Sequence, residues 1–371
     1  MNLKSVSEYI QEKIGDILSP NTASVIGIDI GMSAIKFADI SKLSDGNYKI
    51  NRFVVKDLPD GTVIEDEIQK EDELLQALQQ GLRELNSSSK FVCLGLSGPN
   101  TLIKRLQLAG GMADEVEDQV IWETEQYLPF PVDEGNISFS IIGENPGGGL
   151  DVIVGAVRKN VLKTFKELVE RANVRVKIVD LNAAAVFNMF EYLLGEGAMV
   201  KGKSWIMMDL GAQKTHFMIC KNGILVFFKE INIGGLTITE EIQRQMGVSY
   251  LEAESLKIHG DGKGNIPEEI VNLINQVLDT FFAELKKTVD FWTSSTSEEE
   301  FDGCVITGGC SQINGLAEAL QELFETEVQV INPMDKMTYN QNNIDEETLS
   351  DLSSRGLCAL GLAMRVYQKN D

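Results

Sequence analysis

Short apolar runs alternate along this chain with longer stretches in which apolar residues recur at helical spacing, the pattern of an α/β protein. From residue 24 to about 100 it predicts two short strands joined by a tight turn across Val25–Ile40, a third strand at Tyr48–Val55, a helix over roughly Ile64–Leu85 and a buried strand at Phe91–Leu96. Residues 101 to about 176 read as an inserted module. It has a strand at Thr101–Leu108, a helix at Asp114–Leu128 stopped by Pro129 and Pro131, a hairpin of Ile137–Ile142 and Leu150–Val157, and an amphipathic helix at Asn160–Ala172. Such a module is either a cap over a substrate or a platform for a partner. Val176–Asp180 is a strand, and the Ala-rich Leu181–Leu194 is a helix leading from it.

From about Lys203 the three-strand start repeats. Gly234-Gly235 then opens a helix over Thr237–Gln245, and Pro267 begins a long helix with Ile270, Ile274, Val277, Phe281 and Leu285 on its apolar side. Ser294–Glu300 reads as a linker, Gly303–Gly309 as a strand running into a double glycine, and residues 336–352 as polar loop. Gly356–Val366 is a final apolar helix packed onto the first half. Before all this, Val6, Ile10, Ile14, Ile17 and Leu18 mark an amphipathic leader over residues 1–20. Its polar face carries only Lys4 and Lys13 beside three acids, which favours a protein surface, or disorder, over a lipid interface.

The repeat carries the candidate chemistry. Asp29-Ile30-Gly31 ends the first strand and opens its turn; Asp209-Leu210-Gly211 does the same in the second half, and Phe217 matches Phe37. A glycine turn lets backbone N–H groups face a phosphate. An adjacent carboxylate repels phosphate and calls for a divalent cation between them. Lys36 could return toward the same anion. One such turn alone is equally an ordinary hairpin; two in register suggest halves facing each other across a nucleotide. The Gly234-Gly235 helix start is a natural anion site, and Gly308-Gly309 either lets a flat ring lie on bare backbone or is a plain turn. Asp180 and Asn182 sit at a strand's carboxyl end, where ligands bind in α/β sheets. Asp180 there is either a helix cap or a catalytic group.

Composition narrows the partners. The chain has 371 residues, enough for two or three domains, and a formal net charge of −23, which argues against non-specific nucleic-acid binding. Five cysteines without a Cys-x-x-Cys pair and two histidines make a structural zinc site a poor reading. No secretory signal and no membrane-length apolar run are evident, so the expectation is a soluble or peripheral protein.

Taken in order, Asp29-x-Gly31, Asp209-x-Gly211 and Thr307-Gly308-Gly309 resemble the two phosphate motifs and the adenosine motif of the actin/Hsp70/hexokinase superfamily. Ala253-Glu254-x-Leu256-Lys257 is similar to its ribose- and adenine-contacting segment. Gln126-Tyr127-Leu128-Pro129-Phe130, Ser97-Gly98-Pro99 before Ile103-Lys104-Arg105, Asp290-Phe291-Trp292-Thr293-Ser294-Ser295 and Gly356–Ala363 resemble the PilM family, actin-like type IV pilus assembly proteins related to FtsA.

The resemblance implies an α/β, two-lobed actin-like ATPase fold of duplicated ribonuclease-H-like domains with an inserted FtsA-type module. Residues 21–100, 177–199 and 340–371 would form the first lobe, 101–176 the module, and 200–339 the second lobe, with a small subdomain at about 248–275. It further implies ATP with Mg²⁺. Asp29 and Asp209 would hold the metal. Gly31, Met32, Ser33, Gly211, Ala212, Gln213, Lys214 and Thr215 would face the phosphates, with Lys36 adding charge. Gly235, Glu254, Lys257, Gly308, Gly309 and Gln312 would bound ribose and base. Asp180 is the catalytic candidate, with slow hydrolysis at most; His216 and Cys310 receive no role. The partner implied is the N-terminal cytoplasmic tail of a PilN-like inner-membrane protein, held between first lobe and module, with pilus motor ATPases as further partners. The location implied is cytoplasmic, on the inner membrane through those partners. An FtsA- or MreB-like cytoskeletal protein and a sugar-kinase-type phosphotransferase are the alternatives on the same fold.

Overall fold

The computed structural model describes residues 22–65, 67–145, 147–195, 202–260, 265–296 and 300–368. The amphipathic leader expected at residues 1–20 and the Gly-rich turn at 261–264 lie outside them. The first strands are β1 (Thr22–Ser24), β2 (Ile26–Ile30), β3 (Ala34–Lys42), β4 (Tyr48–Asp57), β5 (Val63–Ile64) and β6 (Glu67–Ile68), followed by helix α1 (Glu71–Leu85) and β7 (Phe91–Leu96). The module region follows with β8 (Thr101–Leu108), α2 (Ala113–Glu125), β9 (Gly135–Glu144), β10 (Leu150–Arg158), α3 (Lys159–Glu170), β11 (Arg175–Leu181) and α4 (Asn182–Leu194). Next come β12 (Ser204–Leu210), β13 (Thr215–Lys221), β14 (Ile224–Ile231), α5 (Gly235–Met246), α6 (Tyr250–His259), α7 (Glu268–Thr296), β15 (Gly303–Thr307), α8 (Leu316–Phe324) and β16 (Val328–Val330). The chain closes with β17 (Thr338–Tyr339), α9 (Glu346–Arg355), α10 (Leu357–Ala363) and β18 (Val366–Gln368).

Two compact units divide the chain. The first takes residues up to 196 with 224–227 and 333–371; the second takes 197–223 and 228–332. Within the first, a six-stranded sheet runs β11-β7-β2-β3-β4-β17. The second has a five-stranded sheet running β14-β13-β12-β15-β16. Read outward from the first long strand of each, the two orders coincide. An antiparallel strand and then a further strand follow on one side, where the first sheet adds β17, and two parallel strands lie on the other. The internal repeat seen in the residues is thus a repeat of topology. The central strands β2 and β15 are buried along their whole length, as strands covered on both faces must be.

The module's sheet, β8-β10-β9, belongs to the first unit and packs Leu106, Val152 and Val154 against Val116 and Val120 of α2. A separate apolar cluster joins α5, α6 and α7 through Ile238, Ile242, Ala253, Ile270 and Ile274. Helix α6 starts in a capping box. Ser249 accepts from the N–H of Glu252, whose carboxylate accepts from the N–H of Ser249.

Four expectations are corrected. Residues 63–68 form a small two-stranded ribbon, and the helix begins only at Glu71. Glu65 in the ribbon's turn holds φ at 49°, a left-handed conformation that no helix can include. The polar stretch 336–352 contains a strand and the start of α9, whose first turn is capped by Asp345 accepting from the N–H of Thr348. The final helix stops at Ala363, and Val366–Gln368 pairs antiparallel with Thr22–Ser24. The long helix also runs through Ser294 to Thr296, into the stretch read as linker.

Helix α10 does pack against β2, as expected. A Cβ on Gly27 would lie 2.1 Å from the Ala359 carbonyl, and one on Gly361 would lie 2.1 Å from the Ala185 carbonyl of α4. Backbone meets backbone at both positions, so neither neighbour can yield cheaply. Gly27→Ala should therefore lower stability by about 1–3 kcal/mol, the usual cost of forced overpacking. Urea denaturation would check it, and an unchanged midpoint would show that α10 is free to move away from β2.

Candidate functional site

The two hairpins agree position by position. In the first, Asp29 lies opposite Lys36 and Ile28 opposite Phe37; in the second, Asp209 lies opposite His216 and Met208 opposite Phe217. Each turn closes with the same hydrogen bond, Gly31 N–H to the Ala34 carbonyl and Gly211 N–H to the Lys214 carbonyl, both 3.0 Å. Each carboxylate thus faces a cation across the ladder, a directly opposed pair of the kind that stabilises sheets. Lys36 Nζ is 3.2 Å from Asp29 Oδ2, and a Cβ on Gly31 would come within 2.9 Å of that Nζ. On its other side, Asp29 Oδ1 accepts from Asn182 Nδ2 at 3.2 Å. Asp29 is 6% exposed, so these partners offset a desolvation cost that an unpaired carboxylate could not bear.

In the second hairpin His216 lies between Asp209 (3.5 Å) and Glu230 (3.4 Å), and Lys214 lies 3.2 Å from Glu230. The two histidine contacts are too long for well-formed hydrogen bonds, so charge dominates them. Burial alone would push the imidazole pKa down; the carboxylates of Asp209 and Glu230 outweigh it and raise it to about 9. Burial would likewise raise the Glu230 pKa, but His216 and Lys214 hold it well below the usual range.

Around this hairpin the backbone is stapled. The N–H groups of Gly235 and Leu236, at the start of α5, donate to the carbonyls of Gly211 and Ala212 at 3.1 and 2.7 Å. A Cβ on Gly234 would sit 2.6 Å from both carbonyls, which is why glycine stands there. Lys257 Nζ donates to Glu254 Oε2 (2.6 Å), Thr239 Oγ1 (2.9 Å) and the Gly235 carbonyl (3.1 Å). Cys310 Sγ donates to the Gly211 carbonyl at 3.2 Å, and burial pushes that thiol up to about 11. Gly308 holds φ at 94° against the Leu210 backbone, while a Cβ on Gly309 would meet open space.

A second feature lies within the first unit. A groove of about 470 Å³ runs between the module's sheet and β11, bordered by Ser138 and Ser140 of β9, Ile153 and Gly155 of β10, Lys166 of α3, Lys177 and Asp180 of β11, and Arg365. Strands β9 and β11 are each the outermost strand of their sheet, so the groove is flanked by two strand edges. Gly155 allows the close approach, since a Cβ there would lie 3.2 Å from Leu181 Cδ1. In the groove Arg365 Nε donates to Asp180 Oδ2 at 2.5 Å, and Leu181 N–H donates to Asp180 Oδ1 at 2.9 Å.

With this geometry in place, comparison with known proteins gives a family. A sequence profile described as "Type IV pilus assembly protein PilM" matches residues 27–367. The chain belongs to the PilM family. A solved "PilM-PilN type IV pilus biogenesis complex" contains a chain that is 23% identical to this one. The match covers 93% of this chain and 99% of that one, with a TM-score of 0.81. Ethanolamine utilization protein EutJ from Carboxydothermus hydrogenoformans is 13% identical, with 93% and 90% covered and a TM-score of 0.54. Cell division protein FtsA from Enterococcus faecalis is 22% identical over 368 residues, covering 84% of this chain and 79% of that protein. The fold is the actin-like one, two ribonuclease-H-like sheets with an inserted module.

Against that PilM-family fold, the residues named from sequence fall into distinct places. Gly31, Met32, Ser33, Gly211, Ala212 and Gln213 form the two hairpin turns, each partly exposed. Thr215 is buried, and its hydroxyl donates to the Ile233 carbonyl, so that donor serves the strand rather than the turn. Lys214 reaches Glu230. Gly235, Glu254 and Lys257 form one hydrogen-bonded cluster, and Gly309 and Gln312 are exposed beside buried Gly308. The α5 N-terminus, read as an anion site, spends two of its N–H groups on the adjacent turn. Asp180 is engaged by Arg365 in the groove, and Asn182 is the neighbour that reaches Asp29. His216 went unassigned in the sequence; stepping back one residue from the Phe37/Phe217 match would have paired it with Lys36. Among the described residues no cluster of three or more His, Cys, Asp or Glu side chains could hold a metal. Asp29 and Asp209 each bring one carboxylate to the turn of their own unit, an oxygen donor of the type Mg²⁺ takes alongside waters.

The raised His216 pKa makes a pH prediction. Its folded value of about 9 exceeds the ordinary 6.5, so protonation stabilises the fold fully below 6.5 and that contribution is lost as pH rises through about 9. The melting temperature of the nucleotide-free protein should fall across this window, and His216→Gln should flatten that fall. Parallel wild-type and variant curves would show that His216 does not titrate there.

Proposed function

We propose that this chain is a nucleotide-binding scaffold of type IV pilus assembly that captures the N-terminal cytoplasmic tail of a PilN-like inner-membrane protein in the groove beside β11. The groove itself carries this reading. It is partly apolar and flanked by two strand edges, the setting in which an extended peptide adds main-chain hydrogen bonds while its side chains enter pockets. The PilM family membership and the likeness to a chain in a PilM-PilN complex support it. Among the described residues no helix is long and apolar enough to cross a membrane, so a captured tail is the means of attachment proposed. Pilus motor ATPases are a further partner class under the same reading.

ATP with Mg²⁺ is the proposed ligand of the hairpins. Asp29 and Asp209 would hold the ion, largely through water, and the ion would neutralise phosphate charge when bound. The glycine turns offer backbone N–H groups, Lys36 offers a charge, and Glu254, Lys257 and Gly309 would border the ribose and base. Asp180, the one candidate base of the phosphotransferase alternative, is engaged by Arg365, which weighs against that alternative. The reading is therefore of binding, with hydrolysis slow at most.

Two measurements test it. Asp29→Asn and Asp209→Asn should each weaken Mg²⁺-dependent ATP binding by about tenfold or more, the scale of one lost charge-assisted contact. Unaltered affinity in both, by fluorescent-nucleotide titration, would remove the site assignment. The tail peptide of the cognate membrane protein should bind the wild-type chain, and Ser138→Arg, which fills the groove from an exposed position, should abolish that binding. Equal binding to both proteins would place the peptide elsewhere.

A further inference from the structure

Seven of the chain's 33 Lys and Arg residues lie between Arg158 and Lys177, against two acids, Glu167 and Glu170, in a protein whose net charge is −23. The fold turns this stretch into a continuous ridge. Lys159, Lys163 and Lys166 stand at i, i+4 and i+7 of α3, one stripe about 10 Å long. Arg175 and Lys177 are alternate residues of the edge strand β11 and both are exposed. Lys166 and Lys177 border the same groove, which joins helix stripe to strand edge.

Arg158 and Arg171, at the margins of this stretch, pair with Glu134 and Glu71, so the charge left for the ridge rests on the α3 lysines and Arg175. Lys159 donates only to a carbonyl, that of Asp133, and Lys163 makes a loose 3.8 Å exposed pair with Glu167. Among the described residues Lys166 and Arg175 make no ion pair. Exposed pairs of this kind hold little energy and exchange readily for another anion.

We infer that this ridge is a docking surface for an anionic lipid bilayer. Its charges are spread along a helix and a sheet edge instead of converging on one point, as recognition of a single carboxylate or phosphate would require. Four of its members are lysines if Lys177 is counted, flexible point charges suited to a fluid layer of headgroups. The exposed stripe of α3 carries no large apolar side chain for insertion, so attachment is electrostatic and superficial. Although the whole chain is acidic, charges more than about 8 Å away are screened at physiological salt, so the local ridge governs contact. The proposed tail capture agrees with this inference, since a groove bordered by Lys166 and Lys177 would then sit beside the membrane that anchors the tail. The lipid surface does not depend on that reading.

The test floats the full chain, without tail peptide or nucleotide, on phosphatidylcholine vesicles with and without about a third phosphatidylglycerol. The expected result is binding to the anionic vesicles alone, lost at high salt. Each cation near such a surface is worth about fivefold in partitioning, so Lys159→Glu/Lys163→Glu/Arg175→Glu should reduce it by at least about a hundredfold. All three positions are exposed, and an unchanged melting temperature would confirm the fold. Equal binding to neutral vesicles, no binding to either, or full binding by the triple variant would overturn the inference. So would a variant that loses tail-peptide affinity but floats normally, because the ridge would then recognise an acidic peptide. Failure of the tail peptide to bind wild-type chain would count against the tail reading and leave the vesicle result intact.

Discussion

A carboxylate at the end of one strand, a cation directly across the ladder from it and a glycine turn between them form the unit on which both halves of this protein are built. Each component requires the others. Asp29 is nearly buried, and a buried carboxylate persists only when paired. Its partner Lys36 reaches it close by Gly31, where an added Cβ would lie 2.9 Å from the ammonium. Because side chains alternate along strands, one residue of slip in the ladder would turn Lys36 away from Asp29 and Phe37 out of the core at the same time. The buried aromatic therefore secures the register on which the ion pair depends.

The two copies have diverged in what surrounds that unit. In the first, Asn182 ties Asp29 to the start of α4, only two residues beyond Asp180 and the groove. A single short segment, residues 180–182, thus meets the hairpin at one end and the Arg365 pair at the other. In the second, the turn is fastened to α5 by two backbone hydrogen bonds and to Cys310 by a thiol contact. Replacing lysine by histidine brings in Glu230 and Lys214, so a simple pair becomes a four-membered charge cluster. Removing one member of such a cluster leaves the remaining charges unbalanced around buried His216, and the effects of its mutations should not add.

Surface charge is divided in the same chain. Acids dominate overall, yet α3 and the edge of β11 are basic, and that basic strip borders the groove. Charged side chains such as Arg175 and Lys177 on a strand edge also discourage pairing with stray strands.

Much of this was legible in the residues themselves. The apolar rhythm located nearly every long strand and helix, because a buried strand and an amphipathic helix impose periods of two and 3.6 that no other demand reproduces. The repeat of Asp-x-Gly at a constant offset located both hairpins, since a turn is a local structure set by a few adjacent residues. What the residues alone could not decide were the matters that depend on neighbours distant along the chain. Asp180 looked as suited to catalysis as to capping; Arg365, 185 residues away, engages it in the groove. The glycine-led start of α5 looked ready for an anion, and in the fold the N–H groups of Gly235 and Leu236 donate to the turn at Gly211 and Ala212. The last residues looked helical until Thr22–Ser24 supplied a strand partner. Local preference specified the elements, but which polar groups remained free was settled only when folding brought remote donors and acceptors together, because each buried one takes the partner that tertiary packing offers.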